Sequence, residues 1–557
     1  MSRTFRSTYR PSLLVPALAV LLTLVLWPQL RILAQSLTGA DGGFSLEHYA
    51  RFFDFERPAN LEAMWNSAWL SVVSVICAAA IGVPLALLVT RVEFPLRGAV
   101  ASLAVLPLLL PPIVGVLAFK QFLFGEYGII PRALYETTGI EWHLEGFAGI
   151  IVLHAYAFFP LFYLFVAAGQ KRLDPALPEA AYSLGASRTR TMFKVTLPLL
   201  KPAIAGAGIL VLLNAMGSFS GPLFFAPTEE ILTLRIANLK ESDTAIVTVT
   251  STILAVCAFL LLVPMRRMES GADVVSAAKG QITPAPPSRT IGRVLLGVLA
   301  FVLIVALLLP HLSIVLLSFA SDRWHADDVM PSAYTLSHYR EILSTDTFTR
   351  PLINSLQMSS LAAFGNVVIG LVIAFFISRR RQPLGRAVEL LAFLPLALPA
   401  TVIAFNLLKT FSEPSTLTFG RALAGTWLLL PLAYFVRHLP IAVRATQSAI
   451  ATLDPALIDA SESLGAGRWM TFRRVTLPLV LPGVLSGALL CFLAGLSEFV
   501  ASILIYVPAN KPIAIQIYDS FYDGSLGVPA ALSVLLLVSQ AFIAIAVNRF
   551  LRVERAQ

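Results

Sequence analysis

Charge is scarce in this chain. Of 557 residues, 13% are charged and 57% hydrophobic, against about a quarter charged in soluble domains. That balance excludes a soluble globular fold and places the chain in a lipid bilayer. Cysteine is scarcer still. Cys77, Cys257 and Cys491 all fall in apolar runs, which argues against a disulfide framework and a thiolate metal site. The dipeptide Gly-Lys does not occur, so no phosphate-cradling P-loop is encoded. Any ATP the protein depends on must be hydrolysed by another subunit. His-Glu-x-x-His, Cys-x-x-Cys and Gly-x-Ser-x-Gly are also missing, and His48, His143, His154, His311, His325, His338 and His438 show no ligand spacing. No catalytic residue, metal site or cofactor is therefore expected. Lys and Arg exceed Asp and Glu, 41 to 32, but they are spread over many loops, which makes nucleic acid an unexpected partner.

What the chain has in quantity is apolar runs of about 20 residues or more, the length that crosses a bilayer. They lie at 11–36, 63–90, 98–123, 147–169, 201–226 and 244–265, then at 291–319, 353–378, 387–410, 421–443, 481–506 and 527–548. The first is too long for a cleavable signal peptide and no clear small-residue cleavage site follows, so it is read as a span. With the N-terminus in the cytoplasm and the spans alternating, 28 of the 41 basic residues fall on the cytoplasmic side, Arg437 and Arg444 among them. The positive-inside rule then sets both termini in the cytoplasm.

The six-plus-six pattern is a repeat. Asn66-Ser67 matches Asn354-Ser355, and Pro107 and Pro111 match Pro395 and Pro399. "LDPAL" at 173–177 returns at 453–457, and "VTLPL" at 195–199 returns at 475–479. An even number of spans per half gives both copies the same orientation, so the repeat is parallel about an axis along the membrane normal. The expected architecture is an all-α integral membrane protein of about 12 transmembrane helices. Its halves are 1–266 and 291–557, joined by a Gly-, Ser-, Pro- and Ala-rich linker at 267–290.

The densest shared stretch is "AAYSLGASRTRTMFKVTLPLLKP" (180–202) against "ASESLGAGRWMTFRRVTLPLVLP" (460–482). Asp174-Pro175 and Asp454-Pro455 read as helix starts, with Asp as cap and Pro at the first helical position. Gly185 and Gly465 read as left-handed stops, each followed by a basic helix leading into the next span. A single basic loop usually does no more than fix topology. Two matching helix–glycine–helix hairpins around a pseudo-twofold axis are instead the geometry for docking a symmetric soluble dimer.

Glu179-Ala180-Ala181, followed by Gly185 and a hydrophobic and basic tail, resembles the EAA motif of bacterial ABC importer permeases. The second copy, Asp459-Ala460-Ser461 then Gly465, departs at two of three letters. The duplicated layout resembles the fused permeases of the ferric-iron, thiamine and polyamine type, with the type I importer fold. That resemblance implies a transport subunit of the bacterial inner membrane, not an enzyme. It implies coupling through Glu179, Ala180, Ala181, Gly185, Asp459, Ala460 and Gly465 to a cytoplasmic ATP-binding subunit, expected as a homodimer, and supply of solute by a periplasmic binding protein. Ferric iron is the preferred cargo, with thiamine, polyamine and phosphonate as alternatives.

Glu498 stands out as an acid within a span or near its outer end, where burial is costly. Its repeat mate is Ser218. The pair are candidates for the translocation path, and a hydrated acid at the periplasmic boundary is the plain alternative. The competing class is an ion-coupled secondary transporter. That class needs several membrane acids, and Glu498 is the one candidate.

Overall fold

The computed structural model describes residues 14–125, 128–272, 290–321, 330–331, 333–379, 383–523 and 526–556. Most of the linker expected at 267–290 lies outside the described residues. The long helices, in chain order, are α1 (Leu14–Ser36), α2 (Ala59–Arg91), α3 (Gly146–Lys171), α4 (Arg188–Met216) and α5 (Thr244–Ala272). They continue with α6 (Thr290–Phe319), α7 (Asp346–Arg379), α8 (Leu429–Ala451), α9 (Trp469–Leu496) and α10 (Gly527–Ala556). Eight of these are long and apolar enough to cross a membrane, and two bent helix pairs raise the number to ten. α8 and α10 occupy the remaining two expected positions. Among the described residues the only β-pairings are two isolated bridges, so the fold is all-α.

Two expected straight spans are bent. Arg97–Leu109 meets Pro112–Lys120 at 105°, and Leu384–Ala397 meets Ala400–Thr410 at 109°. Proline causes both bends. The residue before proline is driven out of the helical region, and Leu110 sits at φ −78, ψ 117. Pro111 and Pro399 then hold nearly the same extended backbone, ψ 140 and 145, before each helix restarts. The spans expected at 201–226 and 481–506 also end early, at Met216 and Leu496. After each break comes one short helix, Ser220–Phe225 or Val500–Ile505. A second follows, Leu232–Leu239 or Ile513–Tyr522.

The repeated Asn-Ser pair holds these second helices. Ser67 Oγ accepts the N–H of Leu232 at 3.0 Å, and Ser355 Oγ accepts that of Ile513 at 2.8 Å. Asn66 Nδ2 donates to the carbonyl of Glu230, and Asn354 Nδ2 to those of Ala509 and Lys511. First-turn N–H groups have no partner within their own helix. A buried serine on a neighbouring span supplies one in each half.

The chain divides into two compact units that cut across the sequence repeats. One comprises Met1–Phe53, Ile236–Ala255 and Leu336–Gln557, and the other Asp54–Arg235 and Val256–Thr335. α1 thus packs with second-half helices. Asn406 accepts from Ser251 Oγ and donates to Gln29 Oε1, both at 2.7 Å, and Arg31 reaches the Thr410 carbonyl and Glu413. α6 in turn packs with first-half helices. Its Ala300 and Leu307 join a buried cluster with Leu85, Val100, Phe159 and Val166, and Tyr156 donates to the Leu307 carbonyl at 2.9 Å.

Candidate functional site

The two loops expected to dock a partner have one geometry. Asp174 Oδ1 accepts the N–H of Ala176, and Asp454 Oδ1 that of Ala456, each at 2.9 Å. Short helices follow, Ala176–Ser183 and Pro455–Ser463. Gly185 and Gly465 then take left-handed backbone, φ +81 and +80. Around Gly185, the N–H of Ala186 donates to the Ala181 carbonyl and that of Gly185 to the Tyr182 carbonyl. Ala466 to Ser461 and Gly465 to Glu462 repeat the pattern. This is a Schellman stop, which a residue with a Cβ adopts only under strain.

The basic segments expected to be separate helices run straight into the spans. Each does so through one widened turn, Met192–Thr196 or Phe472–Thr476. The carbonyls of Lys194 and Arg474 find no donor four residues on, because Pro198 and Pro478 stand there. A π-turn absorbs the mismatch.

Glu179, Ala180, Asp459 and Ala460 are exposed, and Ala181 is half-buried. The helix caps are Asp174 and Asp454, so Glu179 and Asp459 have no capping role. The sequence reading passed over Leu184 and Leu464. Each is 88% exposed and sits beside a glycine with no atom within 4 Å of where a Cβ would be. The shared "SLGA" was the signal for them. Each turn offers a large apolar side chain with open space next to it.

A second pair of centres sits at the breaks after α4 and α9. Glu498 lies just past Leu496, the last residue of α9, so it stands near the span's end and is buried, not hydrated. It is 6% exposed, in the bend between α9 and Val500–Ile505. The Ala501 N–H donates to its Oε1 at 3.0 Å. Arg437 Nε lies 2.7 Å from Oε2, and His438 Nε2 lies 3.6 Å from the same oxygen. A lone charge within the apolar layer costs about 2.5–3.5 kcal/mol on insertion scales, so pairing explains how the acid is kept. Arg437, counted from sequence among the cytoplasmic basic residues although it falls within the span expected at 421–443, lies well inside α8, which runs on to Ala451.

In the other unit Ser218 stands at the related position with a neutral solution. His154 bridges Ser74 Oγ through Nδ1 at 2.8 Å and Ser218 Oγ through Nε2 at 2.9 Å. Thr233 Oγ1 donates to the Ser218 carbonyl at 2.7 Å. His154 and His438 have no role legible from sequence, because spacing along the chain cannot show contacts across helices.

Repeated spans, repeated exposed hairpins and repeated polar centres define a membrane transport subunit and not an enzyme. The chain belongs to the family described as "Binding-protein-dependent transport system inner membrane component", whose profile matches it twice, over residues 78–269 and 366–552. It is therefore a duplicated ABC importer permease of the inner membrane, a family that works with an ATP-binding subunit and a periplasmic binding protein. Membership displaces the ion-coupled alternative. The chain is 30% identical to a probable ABC transporter permease protein, y4fN, of Sinorhizobium fredii, over 93% of this chain and 91% of that one. It is 25% identical to the ferric transport system permease protein FbpB of Actinobacillus pleuropneumoniae, over 86% of this chain and 69% of that one. Identity to the molybdenum transport system permease protein ModB of Escherichia coli is 34%, over 29% of this chain and 73% of that one.

Proposed function

We propose that this permease forms the translocation path for ferric iron handed over by a periplasmic binding protein. The observation that carries the cargo is its similarity to a ferric permease along 86% of its length. Thiamine, polyamine and phosphonate are the alternative cargoes of the same machinery. In this reading the loops at Glu179–Gly185 and Asp459–Gly465 enter two clefts of a homodimeric ATP-binding subunit, and Leu184 and Leu464 are the apolar anchors. Their exposure and the open space at each glycine support the assignment. Glu498 and Ser218 belong to the walls of the path.

Cells carrying the importer should accumulate radioactive iron while ATP is present and the proton gradient is collapsed. They should stop when ATP is depleted with the gradient kept. Uptake that tracks the gradient, or no iron uptake by the wild type, overturns this reading.

Both termini are assigned to the cytoplasm, supported by the basic residues of the loops. A topology reporter fused after Gln557 should read cytoplasmic, and a periplasmic signal there reverses the assignment.

A further inference from the structure

α8 carries one accessible stripe. From Ala433 to Pro440 every residue is buried except Arg437. Ile441 continues the stripe half-buried, and Arg444 and Ser448 continue it exposed. Spacings of four, three and four residues put them on one helix face. α3 repeats the pattern of exposure in the first half. Ala157 and Leu161 are half-buried there, and Leu164 and Ala168 exposed. The stripe is the same in the two copies, but its chemistry is not. It is wholly apolar in α3 and carries two arginines in α8.

Arg437 follows Leu429 by eight positions, about 12 Å along the axis. An arginine at such depth faces the protein interior or water, not lipid. Its side chain is 31% exposed, and the carboxylate behind it is 6% exposed. Glu498 is its ion-pair partner among the described residues, and the pair is made through Nε. Among the described residues no carboxylate pairs with Nη1 or Nη2, and the side chain as a whole is the more exposed member of the pair. The other polar groups at the pair are His438, 3.6 Å from the same carboxylate oxygen, the Ala501 N–H on the other oxygen, and the Tyr434 hydroxyl, which is engaged by Ser502 at 2.7 Å. Arg444, further along the stripe, stands over the Phe393 ring at 5.9 Å. The pair is therefore a fixed dipole with its positive end toward the accessible space. Two coplanar guanidinium nitrogens held in this way match a carboxylate or phosphate-type oxyanion.

We propose that Arg437 is a specificity-determining contact for an oxyanion group of the solute in transit, so that the cargo crosses as an anion-liganded species. This rests on the importer reading above and sharpens it. A bare ferric cation is repelled by a guanidinium, whereas iron liganded by phosphate or citrate presents the oxygens that Arg437 fits. A free oxyanion presents the same chemistry without the metal.

The test uses the full chain with its ATP-binding subunit in proteoliposomes, supplied with its binding protein. The probes are iron with phosphate, iron with citrate, molybdate and, as a cation, spermidine. The wild type should carry at least one oxyanion-bearing probe. Arg437→Gln/Glu498→Gln keeps a hydrogen-bonding pair. Arg437→Glu/Glu498→Arg keeps the ion pair but turns the acid toward the accessible side. Both should retain the ATP-binding subunit and lose uptake by roughly tenfold or more, the worth of one charge-assisted contact. A purely structural pair predicts recovery in the swap. Arg437→Lys keeps the charge and loses the planar fork, so it should raise the apparent KM for the oxyanion probe while the ATP-binding subunit is retained. It decides the matter if the paired variants do not fold. Uptake near wild type in either paired variant, an unchanged KM in Arg437→Lys, or a wild type that carries no oxyanion-bearing probe overturns the proposal. The iron reading is judged separately, by whether the wild type prefers the iron probes to molybdate.

Discussion

The Gly185→Leu/Gly465→Leu double variant is expected to insert into the membrane and to lose nearly all uptake. Both glycines hold φ near +80, where an L-residue costs about 1–2 kcal/mol. No neighbouring atom lies within 4 Å of either Cβ position, so the strain is conformational and no span is disturbed. Relief comes by unwinding the Schellman stop, which redirects Leu184 and Leu464 and the helices before them. Uptake and retention of the ATP-binding subunit should fall together. Alanine at both positions isolates the conformational cost from side-chain bulk and should give a smaller loss. Wild-type uptake by the leucine double variant removes the coupling assignment.

Glu498→Ala should be the most destabilising single change in the second half. It leaves Arg437 and His438 facing each other with no counter-charge. Breaking a buried pair in this way costs about 3–5 kcal/mol, and the partial exposure of Arg437 argues for the lower end. Ser218→Ala, at the related position, removes one neutral hydrogen bond to His154, worth about 0.5–1.5 kcal/mol. Thermal unfolding of the two variants in detergent should separate them clearly, and equal midpoints contradict the view that the ion pair holds this bend. Glu498→Gln should fall between them, because its amide oxygen still accepts the Ala501 N–H.

The helices and their duplication were legible because the bilayer demands about 20 apolar residues per span and the turn residues recur at fixed offsets. The caps at Asp174 and Asp454 and the left-handed glycines were legible because their chemistry is local. The breaks at Pro111 and Pro399 were not, although the prolines were noted. Hydropathy integrates over a bend without registering it. The end of α8 was placed short because Arg444 reads as loop in an apolar scan, and the Arg437–Glu498 pair was hidden because Arg437 was counted with the cytoplasmic charges. Asn66-Ser67 and Asn354-Ser355 were visible as repeats, but their task, holding a helix about 160 residues further on, is set only by packing.

The exchange of α1 and α6 between compact units has a consequence for biogenesis. As the ribosome delivers the chain, the cluster around Leu85, Val100 and Phe159 is made early, but Ala300 and Leu307, which close it, come more than a hundred residues later than Phe159. Until α6 is inserted that face of the first bundle stays covered by lipid alone. α1, synthesised first, waits for Asn406 before Gln29 finds its partner. Neither half can therefore mature before the other has begun. A fused chain delivers both lead helices in strict one-to-one ratio from a single message, a matching that two separately translated subunits would have to achieve by finding each other in the membrane.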